Sequence, residues 1–148
     1  MDDLTKHFRN IKIFDNLTDQ QVESILLIAE KRLIASGEVV MRDAEPSCEL
    51  LLIISGSFEV RNGDISLAKI VDAGIVGEMG VFTEQTHCAD VVALMETKAL
   101  SVPKKELFDL IEKDKDLGLK IYQNIIVVLA RHLRDHNLYL EFSDALGN

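Results

Sequence analysis

A glycine-rich run followed by a histidine and an acid is the part of this sequence best suited to hold a small molecule. The run extends from Gly74 to Gly80 (GIVGEMG), and residues 86–90 (THCAD) follow shortly before a β-branched segment. Glycine lets a backbone bend closely around a ligand. Glu78 and His87 bring an acid and a candidate cation to the same loop. The pattern therefore indicates a ligand cradle.

The other reactive side chains form no catalytic or metal-binding pattern. The four histidines, at positions 7, 87, 132 and 136, lie outside the spacing that metal-binding His and Glu ligands require. Cys48 and Cys88 form no zinc or iron–sulfur motif. We therefore expect a protein that is not an enzyme and has no metal or cofactor. Two free thiols are typical of a reduced, cytoplasmic setting.

Length and charge limit the remaining classes of function. The chain has 148 residues, enough for one domain, residues 1–148, with a core of its own. Lys and Arg number 16 and Asp and Glu number 25, so the net charge is −9. That field repels phosphate backbones, and we expect no direct contact with nucleic acid. The longest apolar runs are far shorter than the ~20 residues of a membrane span, so we expect no membrane contact.

Three zones must position the cradle. Residues 1–36 read as helical, with Thr18 and Gln21 forming a capping box before a helical pattern that runs through residues 19–34. Residues 37–102 read as β, and Asn62-Gly63 is a strong hairpin signal. Predicted strands are Val39–Met41, Leu50–Ile54, Phe58–Arg61, Ile65–Val71, Asp90–Leu94 and Ala99–Val102. Many short strands favour a sandwich, roll or barrel.

Residues 103–148 read as two helices. Pro103 stands at the start of the first helix, and the second runs from about Leu117 to Phe142. The centre of the second, residues 125–130 (IIVVLA), is apolar on every face, which requires burial on more than one side. We expect a homodimer through one stripe of this helix, formed by Ile121, Ile125, Val128, His132 and Tyr139. The alternative is a helix sunk in the core of its own chain.

Four segments in this order resemble the cyclic nucleotide-binding domain of Crp/Fnr-type regulators, nucleotide-gated channels and cyclic-AMP-dependent kinase. They are IFDNLTDQQVESI, GEVVMRDAEPSCELLLIISGSFEV with Gly37 and Gly56, IVGEMGVFTEQTHCADV, and VPKKELFDLIEKD before the long helix. The resemblance covers nearly the whole chain. It implies an eight-stranded jelly-roll β-roll, a double-stranded β-helix, with one N-terminal helix and two C-terminal helices.

The third segment resembles the phosphate-binding cassette of that family. Residues implied to contact the ligand are Val76, Gly77, Glu78, Met79, Gly80, His87, Cys88 and Ala89. In the family, backbone N–H groups and an arginine hold the cyclic phosphate, and the glutamate accepts the ribose hydroxyl. The implied ligand is cyclic AMP or cyclic GMP.

His87 stands where the family carries its arginine. A neutral imidazole offers one donor and no charge, and it is mostly neutral at pH 7. His87 is then a weak, pH-dependent phosphate ligand, a surface residue of a site that no longer binds nucleotide, or a contact for a different ligand. Asp90 repels phosphate only if it points inward, and alternation leaves both orientations open. Ala44 replaces a common glycine, so we expect an altered turn there.

The long helix resembles the dimer helix of Crp-type regulators. His136 and Asn137 fall near the end that reaches the purine base, and a polar helix end in solvent is the alternative reading. The residues after Asn137 are too few for a helix-turn-helix, so we expect either a free-standing module with output through a protein partner or a piece of a longer protein. The resemblance implies a non-catalytic regulatory module with weak or altered nucleotide binding. The alternative is a β-roll that acts as a ligand-independent interaction subunit.

Overall fold

The computed structural model describes residues 2–46, 48–72, 74–83 and 89–135, with side chains at all but five of them: Asp2, Met79, His132, Leu133 and Asp135. The helices are α1 (Asp2–Phe8), α2 (Asp19–Leu27), α3 (Glu78–Thr83), α4 (Lys104–Lys113) and α5 (Lys115–Asp135), with a 3-10 turn at Lys12–Phe14. The strands are β1 (Glu30–Ile34), β2 (Val39–Met41), β3 (Glu49–Ser55), β4 (Phe58–Asn62), β5 (Ile65–Ile70), β6 (Ile75–Val76), β7 (Asp90–Ala93) and β8 (Thr97–Pro103).

The eight strands of the described residues form two four-stranded antiparallel sheets. One has the order β1-β8-β3-β6 and the other β2-β7-β4-β5. This arrangement, with helices at both ends of the chain, confirms the predicted jelly roll. The hairpin at Asn62-Gly63 is also confirmed, because Asn62 pairs with Ile65 and Gly63 adopts a φ of +62°.

Two apolar cores lie on opposite faces of the sheet that contains β3. Leu51 and Ile53 point into the roll, and Leu50 and Leu52 point toward the helices. Successive side chains of a strand alternate between faces, so a strand buried on both sides reads as one continuous apolar run. The sequence LLLII at residues 50–54 is therefore apolar throughout because it serves both cores.

The N-terminal zone differs from the prediction of one helix, because α1 and a 3-10 turn precede α2, and it differs in where α2 ends. The capping box is confirmed, since the Thr18 side chain accepts from the Gln21 N–H and the Gln21 side chain accepts from the Thr18 N–H. The prediction that one helix continues to residue 34 is wrong. α2 ends at Leu27, and residues 30–34 form β1 along β8. Ladder hydrogen bonds to β8 outweigh a helical preference that is weak by itself.

Polar contacts tie α5 to the N-terminal zone. Asn124 is buried and donates both side-chain N–H groups, to the carbonyls of Ile13 and Asp15, each at 2.8 Å. Near the start of the helix, the Gln21 amide donates to Asp116 at 2.9 Å. Lys120 closes this triad, with its Nζ atom 3.0 Å from Asp116 and 3.2 Å from the Gln21 oxygen. α5 and the 3-10 turn are thus held as one unit.

The two faces of α5 do not match the predicted dimer stripe. Ile121 and Ile125 are 1% and 5% exposed and pack in the core beneath the helices, and Val128 is half-buried. Burial of each isoleucine contributes about 1.5–3 kcal/mol to folding, which facing a partner instead would forfeit. The assignment of Ile121 and Ile125 to a dimer contact is therefore wrong. The His132 side chain and Tyr139 lie outside the described residues.

A different set of apolar side chains is exposed on α5. Leu119, Tyr122 and Ile126 are 61%, 40% and 66% exposed, and the partly buried Leu129 continues their spacing of three and four residues. We call these four residues the α5 seam. Such spacing places side chains along one stripe of a helix. The helix reads as apolar all round because its core face and the α5 seam lie on different sides.

Candidate functional site

The glycine at the start of the cradle is required by its surroundings. Gly77 has a φ of +92°, a backbone conformation that side chains with a Cβ rarely adopt. A Cβ there would lie 2.7 Å from the Glu49 carbonyl oxygen and 2.7 Å from the Met41 methyl carbon. Val76, just before it, is buried in the roll and pairs with Leu51. The chain therefore turns out of β6 directly against the wall of the roll.

A short helix follows the turn. Glu78 is the first residue of α3 and is half-buried, and the Val81 N–H donates to the Gly77 carbonyl at 3.1 Å. Gly80 is buried, as a small-residue position requires, and the Met79 backbone lies in the same helix. Val76, Gly77, Glu78 and Gly80 thus lie at one turn, and their predicted contact with a ligand stays a prediction.

Aromatic rings join this short helix to the two C-terminal helices. The Phe82 ring lies edge-on to Phe108 of α4 at 5.9 Å and to Tyr122 of α5 at 5.8 Å. Phe82 comes one helical turn after Glu78. Edge-to-face rings at this separation attract one another beyond the effect of area burial. Phe82 is an isolated aromatic residue with no spacing signal in the sequence, and Tyr122 shares a spacing with Leu119 and Ile126 that does not point to the cradle.

The far side of the cradle is described only in part. His87 and Cys88 lie outside the described residues, as do His136 and Asn137. Ala89 is described and is buried. The predicted roles of these five residues therefore stay predictions.

Asp90 does not point into the roll. Val91 and Ala93 belong to the roll core, so Asp90 lies on the opposite face of β7 by alternation. Its Oδ1 atom accepts from the backbone N–H of Asp43 at 2.7 Å. The carboxylate therefore stabilises the neighbouring turn and does not face a ligand inside the roll.

The turn at Ala44 keeps the backbone conformation that a glycine would adopt there. The Glu45 N–H donates to the Arg42 carbonyl at 3.2 Å, which makes Ala44 the third residue of a β-turn. Ala44 has a φ of +67°. The expected alteration of the turn is therefore wrong. The chain keeps the turn and tolerates a strained alanine, because the Asp90 carboxylate holds the Asp43 N–H from outside.

This architecture matches the model of a known protein family. The model described as the cyclic nucleotide-binding domain matches residues 31–114, more than half of the chain, from β1 to the residue after α4. The chain belongs to the cyclic nucleotide-binding domain family. The match spans the roll, the cradle and α4 of this cyclic nucleotide-binding domain, and it confirms the resemblance read from the sequence.

Relatives of this cyclic nucleotide-binding domain include a potassium channel protein and a receptor protein. It is 29% identical over 140 residues to a putative potassium channel protein of Rhodopseudomonas palustris, covering 93% of this chain and 33% of that protein. It is 27% identical over 134 residues to the cyclic AMP receptor protein of Thermus thermophilus, covering 87% of this chain and 60% of that protein. The chain thus spans less than two thirds of either relative.

A solved structure has the same fold as this domain. The catabolite activator protein of Thermus thermophilus superposes with a TM-score of 0.76 at 24% identity, covering 90% of this chain and 63% of that one. Within the described part of the chain, no helix is long and apolar enough to cross a membrane. Among the same residues, no group of three or more His, Cys, Asp and Glu side chains is placed to hold a metal ion.

One arginine of the domain lies on the inner face of the roll but is neutralised there. Arg32 pairs across the sheet with Ala99, whose side chain belongs to the roll core. Its guanidinium lies 2.6 Å from Glu49 and 3.6 Å from Glu38. Ser101 donates to the same Glu49 carboxylate. With two carboxylates around it, Arg32 is a poor substitute for a cassette arginine.

Proposed function

We propose that this domain is a non-catalytic sensor that binds a cyclic nucleotide weakly, in the cradle that begins at Gly77 and Glu78. The observation that carries the proposal is the Gly77 turn, with its positive φ and its contact against the Glu49 carbonyl. This turn presents Glu78 and the first N–H groups of α3 at one point. Early helical N–H groups lack partners within the helix and favour anions.

Weak binding follows from the charges around the cradle. His87 replaces the arginine expected from the family, and Arg32 is already paired with two acids. Loss of a buried charge-assisted contact commonly costs roughly 2–5 kcal/mol. Because each 1.4 kcal/mol changes affinity tenfold, this loss lowers the affinity about 30-fold to 4,000-fold. Protonation of the His87 imidazole in mildly acidic solution restores a cation.

Calorimetric titration with cyclic AMP, cyclic GMP and a cyclic dinucleotide tests this at pH 6.0 and pH 7.5. We expect saturable binding below millimolar that is tighter at pH 6.0, because the protonated imidazole attracts phosphate. His87→Arg should tighten binding at least about 30-fold at pH 7.5. His87→Lys should gain less, because an ammonium lacks the planar fork.

The matched negative control is Gly77→Ala, which puts a Cβ against Glu49 and should abolish binding. Flat traces for all three ligands at both pH values would contradict the proposal. They would instead support the reading of the domain as a ligand-independent interaction subunit. Binding that is unaffected by His87→Arg would show that His87 is not at the phosphate.

We propose further that two copies associate through the α5 seam. The spacing of Leu119, Tyr122, Ile126 and Leu129 is that of the a and d positions of a coiled coil. A seam of this spacing is complementary to a like helix, and Leu133 extends the same spacing in the sequence. Ligand binding in the cradle then shifts the arrangement of α5, and a protein partner responds to that shift. The shift can be no larger than the difference in the ligand's affinity for the two arrangements of the helices.

A further inference from the structure

We infer that Glu49 restrains Arg32, so that the Glu49 carboxylate and the phosphate of a cyclic nucleotide compete for one guanidinium. This role rests on the ligand site proposed above. Both residues precede the cassette in the sequence, and their ion pair forms without any cassette residue. Glu49 then limits phosphate affinity from outside the cassette.

The ion pair lies at the end of the roll where the cradle begins. Glu49 precedes Leu51 by two residues on β3, so its side chain shares the roll face of Leu51. Leu51 pairs with Val76, the last residue of β6, and Glu49 therefore lies beside the residues that follow β6. The Glu49 carbonyl oxygen would lie 2.7 Å from a Cβ at Gly77. The carboxylate thus borders the proposed phosphate site.

Both oxygens of the Glu49 carboxylate are held. Its Oε1 atom lies 2.6 Å from the Nη1 atom of Arg32, and its Oε2 atom accepts from the Ser101 hydroxyl. Ser101 is buried, which restricts the movement of this hydroxyl. The Arg32 Nη2 atom lies 3.6 Å from Glu38, a longer contact with a more exposed side chain. Of these two acids, Glu49 is therefore the one that fixes the guanidinium.

The Arg32 guanidinium is within reach of a ligand but is occupied. Strand β8 lies between β1 and β3, and the small Ala99 side chain of β8 leaves room for Arg32 to reach Glu49 on the roll face. The Arg32 side chain is 33% exposed. A carboxylate and a phosphate both present oxygens that match the planar guanidinium fork, so they compete for the same donors.

The charges of this group also disfavour an anion. Arg32 carries one positive charge, and Glu38 and Glu49 carry two negative charges, which leaves a net charge of −1. Neutralising Glu49 removes that net charge and weakens the bond that holds the guanidinium, since a bond to a neutral amide is about half as strong as one to a carboxylate. Both effects should strengthen phosphate binding.

Calorimetric titration of Glu49→Gln with cyclic AMP tests this competition at pH 7.5, where an ordinary imidazole such as that of His87 is mostly neutral. We expect binding at least about tenfold tighter than in the wild type, the size of one hydrogen bond to a charged group. Adding Arg32→Gln restores the net charge of the wild-type pair without a guanidinium. The double variant should return to within about fivefold of the wild type.

Two controls separate release of the guanidinium from other effects. Glu38→Gln removes the same charge at the longer contact and should tighten binding less than about fivefold. Adenosine has no phosphate, so its affinity should be the same for the wild type and Glu49→Gln. If Glu49→Gln does not fold, as judged by circular dichroism, Glu49→Thr replaces it, because a neutral β-branched residue is favoured in a strand.

The outcomes are distinguishable from failure of the cyclic nucleotide site itself. If the wild type binds cyclic AMP but Glu49→Gln gains no more than Glu38→Gln, the role of Glu49 is overturned and the site stands. A gain that persists in the double variant, or that appears equally with adenosine, also overturns the role.

A wild type that does not bind would not leave the question open. If only Glu49→Gln binds cyclic AMP below millimolar, the restraint on Arg32 stands, and the proposal of weak binding by the wild type fails. Flat titrations of both proteins overturn the restraint and the nucleotide site together.

Discussion

At the scale of single residues, Ala44 shows how the chain tolerates a substitution that sequence rules disfavour. Its φ of +67° costs a residue with a Cβ about 1–2 kcal/mol. Asn16 also has a positive φ, of 66°, but asparagine visits this region more readily. The bond from the Asp43 N–H to Asp90 helps to fix the strained turn.

Ala44→Gly should therefore raise the free energy of unfolding by about 0.5–1 kcal/mol. This is the strain that glycine relieves in the folded state, reduced by the greater conformational entropy of glycine in the unfolded chain. Urea unfolding followed by circular dichroism measures this change. Asn16→Gly is the matched control and should be neutral or slightly destabilising. Equal or lower stability of the Ala44→Gly protein would mean that the turn is not strained.

At the scale of secondary-structure elements, α5 is positioned by polar contacts with the N-terminal zone. Asn124 fixes its middle, and the triad of Gln21, Asp116 and Lys120 fixes its first turns. Hydrogen bonds first from Gln21 and then from Lys120 lower the pKa of Asp116 below its ordinary value of 3.8. These bonds stabilise the charged form, so they couple the position of α5 to the ionisation of one carboxylate.

Asp116→Asn should destabilise the domain at neutral pH, with a difference that disappears in acid. A carboxyl group whose pKa is lowered on folding contributes stability above its unfolded value of 3.8, and this is lost as the pH falls through the folded value. Thermal unfolding of both proteins between pH 7 and pH 3 measures the difference. The same change at the exposed Asp109 of α4 is the control. A difference that stays constant down to pH 3 would contradict the role of the charge.

At the scale of the whole molecule, the α5 seam is the feature that departs furthest from what the sequence predicts. The predicted stripe and the observed seam lie on the same helix but on different faces. Because Ile121 and Ile125 fill the core of the chain, a partner cannot reach that face of α5. The proposed dimer therefore leaves the fold of each copy intact.

Ile126→Glu should convert the protein to a monomer, because it places a charge at the centre of an apolar contact. Sedimentation velocity across a concentration series measures the change. Val127→Glu is the matched control, since Val127 is the next residue and is also exposed, but lies about 100° round the helix. A dimer that survives Ile126→Glu, or is lost equally in Val127→Glu, would place the contact elsewhere.

The sequence by itself determined the capping box, the hairpin and the need for a glycine at position 77, and its resemblance to a family implied the β-roll. The first three depend on local features: a cap and its partner, an Asn-Gly pair, or a glycine that admits a positive φ. Four ordered motifs were also enough to identify the family, which the match over residues 31–114 confirms.

Only the tertiary structure decided the end of α2, the orientation of Asp90, the turn at Ala44, the pairing of Arg32 and the two faces of α5. In each case a contact distant in sequence outweighs a local preference. A helical period shows that α5 has apolar faces, but it cannot show which face the core covers. That depends on where Leu17, Ile13 and the strands beneath them lie, and no spacing within the helix records it.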